Sequence, residues 1–351
     1  MFHAGPAVQI GIIVATVAGL WVGARLLVDS VVRLARRVGL SELTIGLTIV
    51  AAGTSTPELV VTTDAALKGL GDIAIGNIVG SNIYNLAFIL GVVSLIRIIP
   101  IERSLVHRDG IALVVSTLLG GLVLLNGTVS RLEGAVFVGL YVIYTAYLLR
   151  TGGEPSDTDP PEAETDGDHS TETVSPSEGD GTGATDETPV GVSVSLTERV
   201  GFPGRDIAFA VVGLAIVLVS GDFLVGAATN LARGAGISEW VIGGTIVAAG
   251  TSTPEFAVSI VAMRSGRIGV SVGNVVGSNV FNMLGILGFA AVLQPITVGG
   301  AALETTAWLA VISVIMVAAL WTGRQLSRAE GGLFALSEAV RWVLGLLGLV
   351  G

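Results

Sequence analysis

The sequence predicts an all-α polytopic membrane protein in which ten transmembrane helices form two inverted five-helix repeats, with helices 2 and 7 broken. Three observations predict this fold. The 351 residues are 51% hydrophobic and 13% charged with a mean hydropathy of +0.80, which is too apolar for an ordinary soluble domain. Apolar runs of spanning length follow one another along the chain. A polar motif inside the second run recurs inside the seventh.

The apolar runs are separated by short polar breaks, and each is long enough to cross the hydrocarbon core of a bilayer. The first and sixth runs are the longest, so we expect these helices to tilt or to project beyond the bilayer. The predicted helices span residues 8–38, 42–69, 72–97, 107–126, 131–150, 205–235, 239–266, 269–293, 302–322 and 332–350.

The recurring motif is Gly53-Thr54-Ser55-Thr56-Pro57-Glu58, and its second copy runs from Gly250 to Glu255 with the same six residues. A second polar cluster follows each copy at the same distance, at 76–82 and 273–279. The offset of 197 residues holds without a gap from 46–91 to 243–288, which indicates an internal duplication. Five helices per copy is an odd number, so the second copy enters the membrane from the opposite side and the repeats are inverted.

The domains predicted from this duplication are a first repeat at 1–150 and a second repeat at 204–351, joined by a linker at 151–203. The linker is acidic and nearly lacks large apolar residues, so we expect it to be disordered. Arginine gathers in the helix ends and loops on one side of the predicted topology, for example Arg33, Arg36 and Arg37. The apolar runs predict a multi-pass protein of the cell membrane. The positive-inside rule then predicts that both termini are extracellular and that the linker is cytoplasmic.

The motif predicts a broken helix, because Pro57 cannot donate an amide hydrogen bond to the carbonyl of Gly53. Thr56 and Thr253 are the expected N-caps of the second half-helices, with proline and glutamate at the first two helical positions. Non-helical backbone is tolerated at membrane depth only where it is buried in protein or lines a polar cavity. Carbonyls from one half and carboxylates from the other would face one small space, and such hard oxygen ligands suit Ca²⁺ and Na⁺.

Glu58 and Glu255 are the first candidates for a cation site. A single glutamate near a helix N-terminus is explained by the helix dipole alone. The helix dipole does not explain two glutamates at equivalent places deep in apolar sequence. Inserting a carboxylate at bilayer depth costs a free energy of roughly 3 kcal/mol or more.

The second cluster supplies further candidates at a spacing of four residues, which places them on one helix face. These are Ser81 and Asn85 with Ser278 and Asn282, and Asn77 with Asn274 begins the same face. Their alternative role is to join helices, since neighbouring glycines form small-xxx-small pairs. Asn82 and Asn279 point about 100° away and are predicted to be structural. Asp64 is expected at the surface or in a vestibule, and Asp29 with Arg25 and Glu338 with Arg341 are spaced to pair.

Composition also excludes several kinds of chemistry. The chain contains no cysteine, which rules out thiolate metal sites and disulfides. None of its three histidines lies in the interior of an apolar run, so imidazole ligands are not expected within the membrane.

The paired motifs resemble the α-repeats of the cation/calcium exchanger superfamily, specifically the prokaryotic sodium/calcium exchangers. The resemblance implies a secondary active transporter, not an enzyme, that exchanges Na⁺ for Ca²⁺ by alternating access without a cofactor. It implies that Glu58 and Glu255 bind both ions and that Thr54 and Thr251 add oxygen ligands to Ca²⁺. The Na⁺ sites would use Ser55, Ser81, Ser252, Ser278 and the carbonyls of Ala51 and Ala248, with Asn85 and Asn282 bordering the centre. Some relatives have aspartate at the position of Asn282. Here both halves carry asparagine, which leaves two acidic ligands in the centre.

Three alternatives stay open at this point. A calcium/proton antiporter of the same fold would use the two carboxylates as proton carriers, and a passive cation channel would need no alternation. An intramembrane hydrolase is disfavoured because no nucleophile or metal-binding histidine accompanies the carboxylates. The expected partners are the lipid bilayer and the Na⁺ and Ca²⁺ ions; no nucleic-acid partner is expected, and the sequence identifies no protein partner. The first and sixth helices are the candidates for the sliding element of an exchanger.

Overall fold

The computed structural model describes residues 5–100, 105–152, 203–235, 248–323 and 325–346, and this part of the chain is mostly helical. The linker and the start of predicted helix 7 lie outside the described residues. The helices of the first half are α1 (Pro6–Val38), α2 (Glu42–Thr54), α3 (Thr56–Leu67), α4 (Gly71–Ile96), α5 (His107–Leu124) and α6 (Arg131–Thr151). Those of the second half are α7 (Pro203–Gly234), α8 (Ala248–Thr251), α9 (Thr253–Arg264), α10 (Ile268–Leu293), α11 (Gly300–Gly323) and α12 (Arg328–Leu346).

Six of the described helices are long and apolar enough to cross a membrane, and the bent pair α2 and α3 adds a seventh. The six are α1, α4, α5, α6, α7 and α10. The protein is therefore a multi-pass membrane protein built of α-helices.

The first broken helix bends by 49° between α2 and α3, with Ser55 at the break. The sequence placed the N-cap one residue too late, because Ser55 and Ser252 occupy the cap positions of α3 and α9, and Thr56 and Thr253 are already helical. The Thr56 hydroxyl instead donates 2.7 Å to the carbonyl of Gly53, the group that Pro57 leaves without an amide donor. Neither cap serine side chain accepts a hydrogen bond from its own helix, because each donates instead to a carboxylate of the other half of the chain.

Helices α4 and α10 form the centre of the structure and carry most of its large buried core. Helix α10 lies tightly on α2, since a Cβ atom at Gly273 would be 2.7 Å from the Leu43 carbonyl oxygen. Helices α1 and α7 pair closely at Gly23 and Gly213, where a Cβ atom on either would lie within 3 Å of backbone atoms of the other helix. A second apolar cluster joins this pair to α2 and α9.

Several small features recur at the offset of 197 residues that separates Asn82 from Asn279. Strand β1 (Ile99–Pro100) pairs antiparallel with β4 (Gln325–Leu326), and β2 (Thr128–Val129) pairs with β3 (Ile296–Thr297). The offset relates β1 to β3 and β2 to β4, so the two short sheets are equivalent. Helices α6 and α12 are each preceded by a serine whose hydroxyl binds the glutamate three residues later, Ser130 with Glu133 and Ser327 with Glu330. The duplication therefore extends beyond the two polar motifs.

Candidate cation-binding site

The site is built around Glu58 and Glu255, which lie in the first turns of α3 and α9 and have no solvent exposure. Each carboxylate accepts a hydrogen bond from the cap serine of the other half of the chain. Ser55 Oγ donates to Glu255 Oε1 at 2.7 Å, and Ser252 Oγ donates to Glu58 Oε1 at 2.9 Å. The two breaks therefore meet at one place, and the serines leave their own helix ends to bind the opposite carboxylate.

Each glutamate also keeps one carboxylate oxygen without a hydrogen-bond partner among the described residues, Glu58 Oε2 and Glu255 Oε2. A buried carboxylate oxygen without a donor is costly, so native structures contain few of them. The same condition holds in the described chain for Ser278 Oγ, Asn282 Oδ1 and both amide atoms of Asn85. Unpaired buried polar atoms therefore gather on the residues that the sequence proposed as ligands.

Further serine and threonine hydroxyls lie beside the carboxylates. Ser81 Oγ lies 3.4 Å from Glu58 Oε1 and 3.4 Å from the hydroxyl of Thr251, so α4 and α8 meet there. Thr54 Oγ1 donates to Asn274 Oδ1 at 3.0 Å, across the boundary between the two halves. Glu58, Ser81, Thr251 and Ser252 thus form one connected group.

Asn77 and Asn274 hold the two glutamate-bearing helices in place. Asn77 Nδ2 lies 3.3 Å from the main-chain oxygen of Glu58 and 3.0 Å from Thr62 Oγ1. Asn274 Nδ2 lies 3.2 Å from the main-chain oxygen of Glu255 and 3.0 Å from Ser259 Oγ. The sequence placed both asparagines beside the site, but their binding to the carbonyls of the glutamates required the folded structure.

Asn85 and Asn282 lie in π-helical turns, Tyr84–Ile89 and Phe281–Ile286, and both are fully buried. A π turn widens the helix locally and is common at functional sites. The Ala51 carbonyl accepts from Ser55 N at 3.0 Å and from Thr54 Oγ1 at 3.3 Å, and Ala248 begins the corresponding short helix α8. The predicted carbonyl ligands therefore lie one turn before the breaks.

The remaining charged residues named from the sequence lie away from this site. Asp64 is exposed and pairs with Lys68 at 2.6 Å, and Arg25 lies 3.9 Å from Asp29. Glu338 pairs with Arg341 as its spacing predicted. Sequence reasoning missed the buried Asp206, which binds Arg33 and Arg37 of α1, each at 2.8 Å, because only the packing of α7 on α1 brings these residues together.

The site offers hydroxyl, amide and carboxylate oxygens, which are the ligands of hard cations. Across the residues described, no group of three histidine, cysteine, aspartate or glutamate side chains is placed to hold a metal ion. Among the described residues, the groups that meet here are two carboxylates and several neutral oxygens.

Comparison with known proteins identifies the family. The family model for the sodium/calcium exchanger protein matches residues 8–150 and 206–339, which is most of the chain. The chain belongs to the sodium/calcium exchanger family. The resemblance inferred from the paired motifs is thereby confirmed.

Relatives and solved structures agree with this assignment. The sodium/calcium exchanger MaX1 of Methanosarcina acetivorans is 32% identical over 335 residues, covering 88% of this chain and 90% of that protein. The inner membrane protein YrbG of Escherichia coli is 31% identical over 264 residues, covering 75% of this chain and 73% of YrbG. A structure of the sodium-calcium exchanger NCX_Mj, soaked with Na⁺ and Sr²⁺, superposes with a TM-score of 0.76 at 24% identity over 97% of this chain and 99% of that chain. The fold is thus that of a membrane exchanger.

Proposed function

We propose that this exchanger carries Na⁺ and Ca²⁺ in opposite directions across the cell membrane by alternating access to the site around Glu58 and Glu255. The observation that supports this most directly is the reciprocal binding of each buried carboxylate by a serine of the other half. It brings two negative charges into one enclosed space. Two carboxylates balance one Ca²⁺ or two Na⁺, so the two ions exclude one another and exchange needs no second site.

The proposed topology has ten spans in two inverted repeats. Its support is the recurrence of strand pairs and helix caps at a constant offset, together with five predicted helices in each half. Inverted repeats supply two conformations of similar energy, one open to each side.

We further propose that both termini are extracellular and that residues 151–203 form a cytoplasmic tether, since this orientation puts most arginines on the inner side. In this orientation Lys68 lies outside and Arg267 inside. The chain contains no cysteine, so a Lys68→Cys or Arg267→Cys variant carries one thiol. A membrane-impermeant maleimide added to intact cells should label the first and spare the second; the reverse pattern would overturn the orientation.

The transport experiment is isotopic Ca²⁺ uptake into proteoliposomes. An outward Na⁺ gradient should drive uptake, and a pH gradient without Na⁺ should not. Uptake driven by the pH gradient alone would replace Na⁺ with H⁺ as the coupling ion, and a steady conductance in a planar bilayer would favour a channel. The Asp64→Asn variant is a suitable control, because this exposed carboxylate lies on the same helix as Glu58 but outside the site.

A further inference from the structure

Two asparagines outside the candidate cation-binding site, Asn82 of α4 and Asn279 of α10, lie where these two helices meet. They are equivalent positions of the two halves, and each precedes a candidate ligand, Asn85 or Asn282, by three residues. All four side chains are fully buried. Their hydrogen bonds can therefore be compared pair by pair.

One cross-repeat amide bond is made. Asn282 Nδ2 donates to Asn82 Oδ1 at 3.0 Å, and Asn82 Nδ2 donates to the main-chain oxygen of Asn279 at 3.2 Å. Asn82 of α4 thus forms hydrogen bonds with two groups of α10, the Asn282 side-chain amide and the Asn279 carbonyl. Its bond fixes the rotation of the Asn282 amide and leaves Asn282 Oδ1 without a partner in the described structure, available to a cation.

The equivalent bond in the other direction is not made. By symmetry, Asn85 Nδ2 would donate to Asn279 Oδ1, but in the described parts of the chain both atoms are buried without a partner. Asn279 Nδ2 instead donates to the carbonyl of Val275 in its own helix at 2.7 Å. A donor and its symmetry-related acceptor are therefore both present and both unused, a condition that native proteins rarely keep without a function.

We propose that Asn82 and Asn279 are positioning residues that act in turn. In the conformation described here Asn82 holds Asn282 as an oriented amide ligand, and in the conformation open to the opposite side Asn279 holds Asn85 in the same way. This inference rests on the alternating access proposed above. The site then always has one fixed and one free amide, and the repeat that supplies the fixed one changes with the side of access.

The test measures the half-saturating Ca²⁺ concentration on each side of the membrane, with right-side-out and inside-out vesicles. The variants are Asn82→Leu and the matched Asn279→Leu, which remove the same bonding capacity from the two repeats at nearly constant volume.

Asn82→Leu should raise the half-saturating Ca²⁺ concentration about tenfold on one side of the membrane, because a fixed ligand becomes free in the conformation open to that side. On the other side the change should be at most about twofold. Asn279→Leu should give the opposite pattern, with the maximal rate of each variant changed less than its half-saturation. Equal shifts on both sides, or no shift in folded protein, would overturn the inference.

Two further features keep the test decisive. If the leucine variants do not purify as folded protein, Asn82→Ser and Asn279→Ser ask the same question with less bulk, because serine is too short to bridge the helices. The readout is Ca²⁺ dependence, so it holds whichever ion drives uptake. Absence of Ca²⁺ transport by the unmodified protein would contradict the proposed function instead.

Discussion

Glu58 of the first repeat and Glu255 of the second have nearly identical surroundings within hydrogen-bond distance. Both are fully buried, both accept from the opposite cap serine, and both have a main-chain oxygen bound by an asparagine of the next helix. One turn further away the repeats differ. Asn282 Nδ2 donates across the repeats to Asn82 Oδ1 at 3.0 Å, whereas Asn279 Nδ2, at the position equivalent to Asn82, donates to the Val275 carbonyl of its own helix at 2.7 Å.

This difference shows where an exchanger can be symmetric and where it cannot. The groups that bind ions must be alike in both conformations, since the same ions bind from both sides. In the alternating access proposed above, the contacts around the site would differ between the repeats at any moment, because a site open to both sides would leak. Four predictions follow from this comparison, beginning with the largest effect.

The equality of the two carboxylates is tested by Glu58→Gln and Glu255→Gln. Each variant keeps the side-chain shape but removes one of the two charges that balance Ca²⁺, so we expect exchange to fall below detection, at least about a hundredfold, in both. Isotopic uptake in proteoliposomes measures the loss, and a thermal unfolding scan checks the fold. Transport by either variant at the normal rate would contradict the site.

The reciprocal serine bonds are tested by Ser55→Ala and Ser252→Ala. A hydrogen bond to a charged group contributes about 1.5–3 kcal/mol, so each variant should weaken ion binding by roughly ten- to a hundredfold. The two effects should be similar in size, because the bonds measure 2.7 and 2.9 Å. Titration of purified protein with Ca²⁺ gives the affinity, and a large effect in one repeat only would break the symmetry.

The packing of α10 on α2 is tested by Gly273→Ala, with the equivalent Gly76→Ala for comparison. The first forces α10 away from Leu43 and should lower the free energy of unfolding by about 1–3 kcal/mol through overpacking. The second adds a methyl group at an exposed helical position and should raise it by up to about 1 kcal/mol. Thermal unfolding in detergent compares them, and equal stability of the two variants would contradict the close contact of α10 with Leu43.

The smallest effect concerns the ion pair between Glu42 of α2 and Arg267, just before α10, at 3.0 Å. At the equivalent positions the second copy has Glu239, outside the described residues, but the first has Leu70 in place of arginine. Only one side can therefore form this pair. Glu42→Gln should cost at most about 1 kcal/mol, because both side chains are partly exposed, and the cost should disappear in high salt. A cost that salt does not change would rule out this ion pair as its source.

Much of the fold follows from local sequence. The predicted helices end within a few residues of the observed ones wherever the chain is described, because length and hydropathy define a membrane span. The break at the first motif and the burial of both glutamates follow from proline, glycine and the cost of charge in hydrocarbon. The cap position was misplaced by one residue, since sequence rules assign a serine to its own helix and cannot foresee a carboxylate from the other repeat.

The sequence by itself determined the class of protein, the duplication and the two acidic residues on which the site depends, because these follow from composition and from residues near one another in the chain. The tertiary structure alone decided which serine binds which glutamate, the π turns that carry Asn85 and Asn282, and the ion pairs of Asp206. It also decided that α10 packs on α2 at Gly273 and that Asn82, not Asn279, makes the cross-repeat amide bond. Contacts between residues about two hundred positions apart depend on how whole helices pack, and nearly identical repeats give no local signal of which asparagine makes that bond.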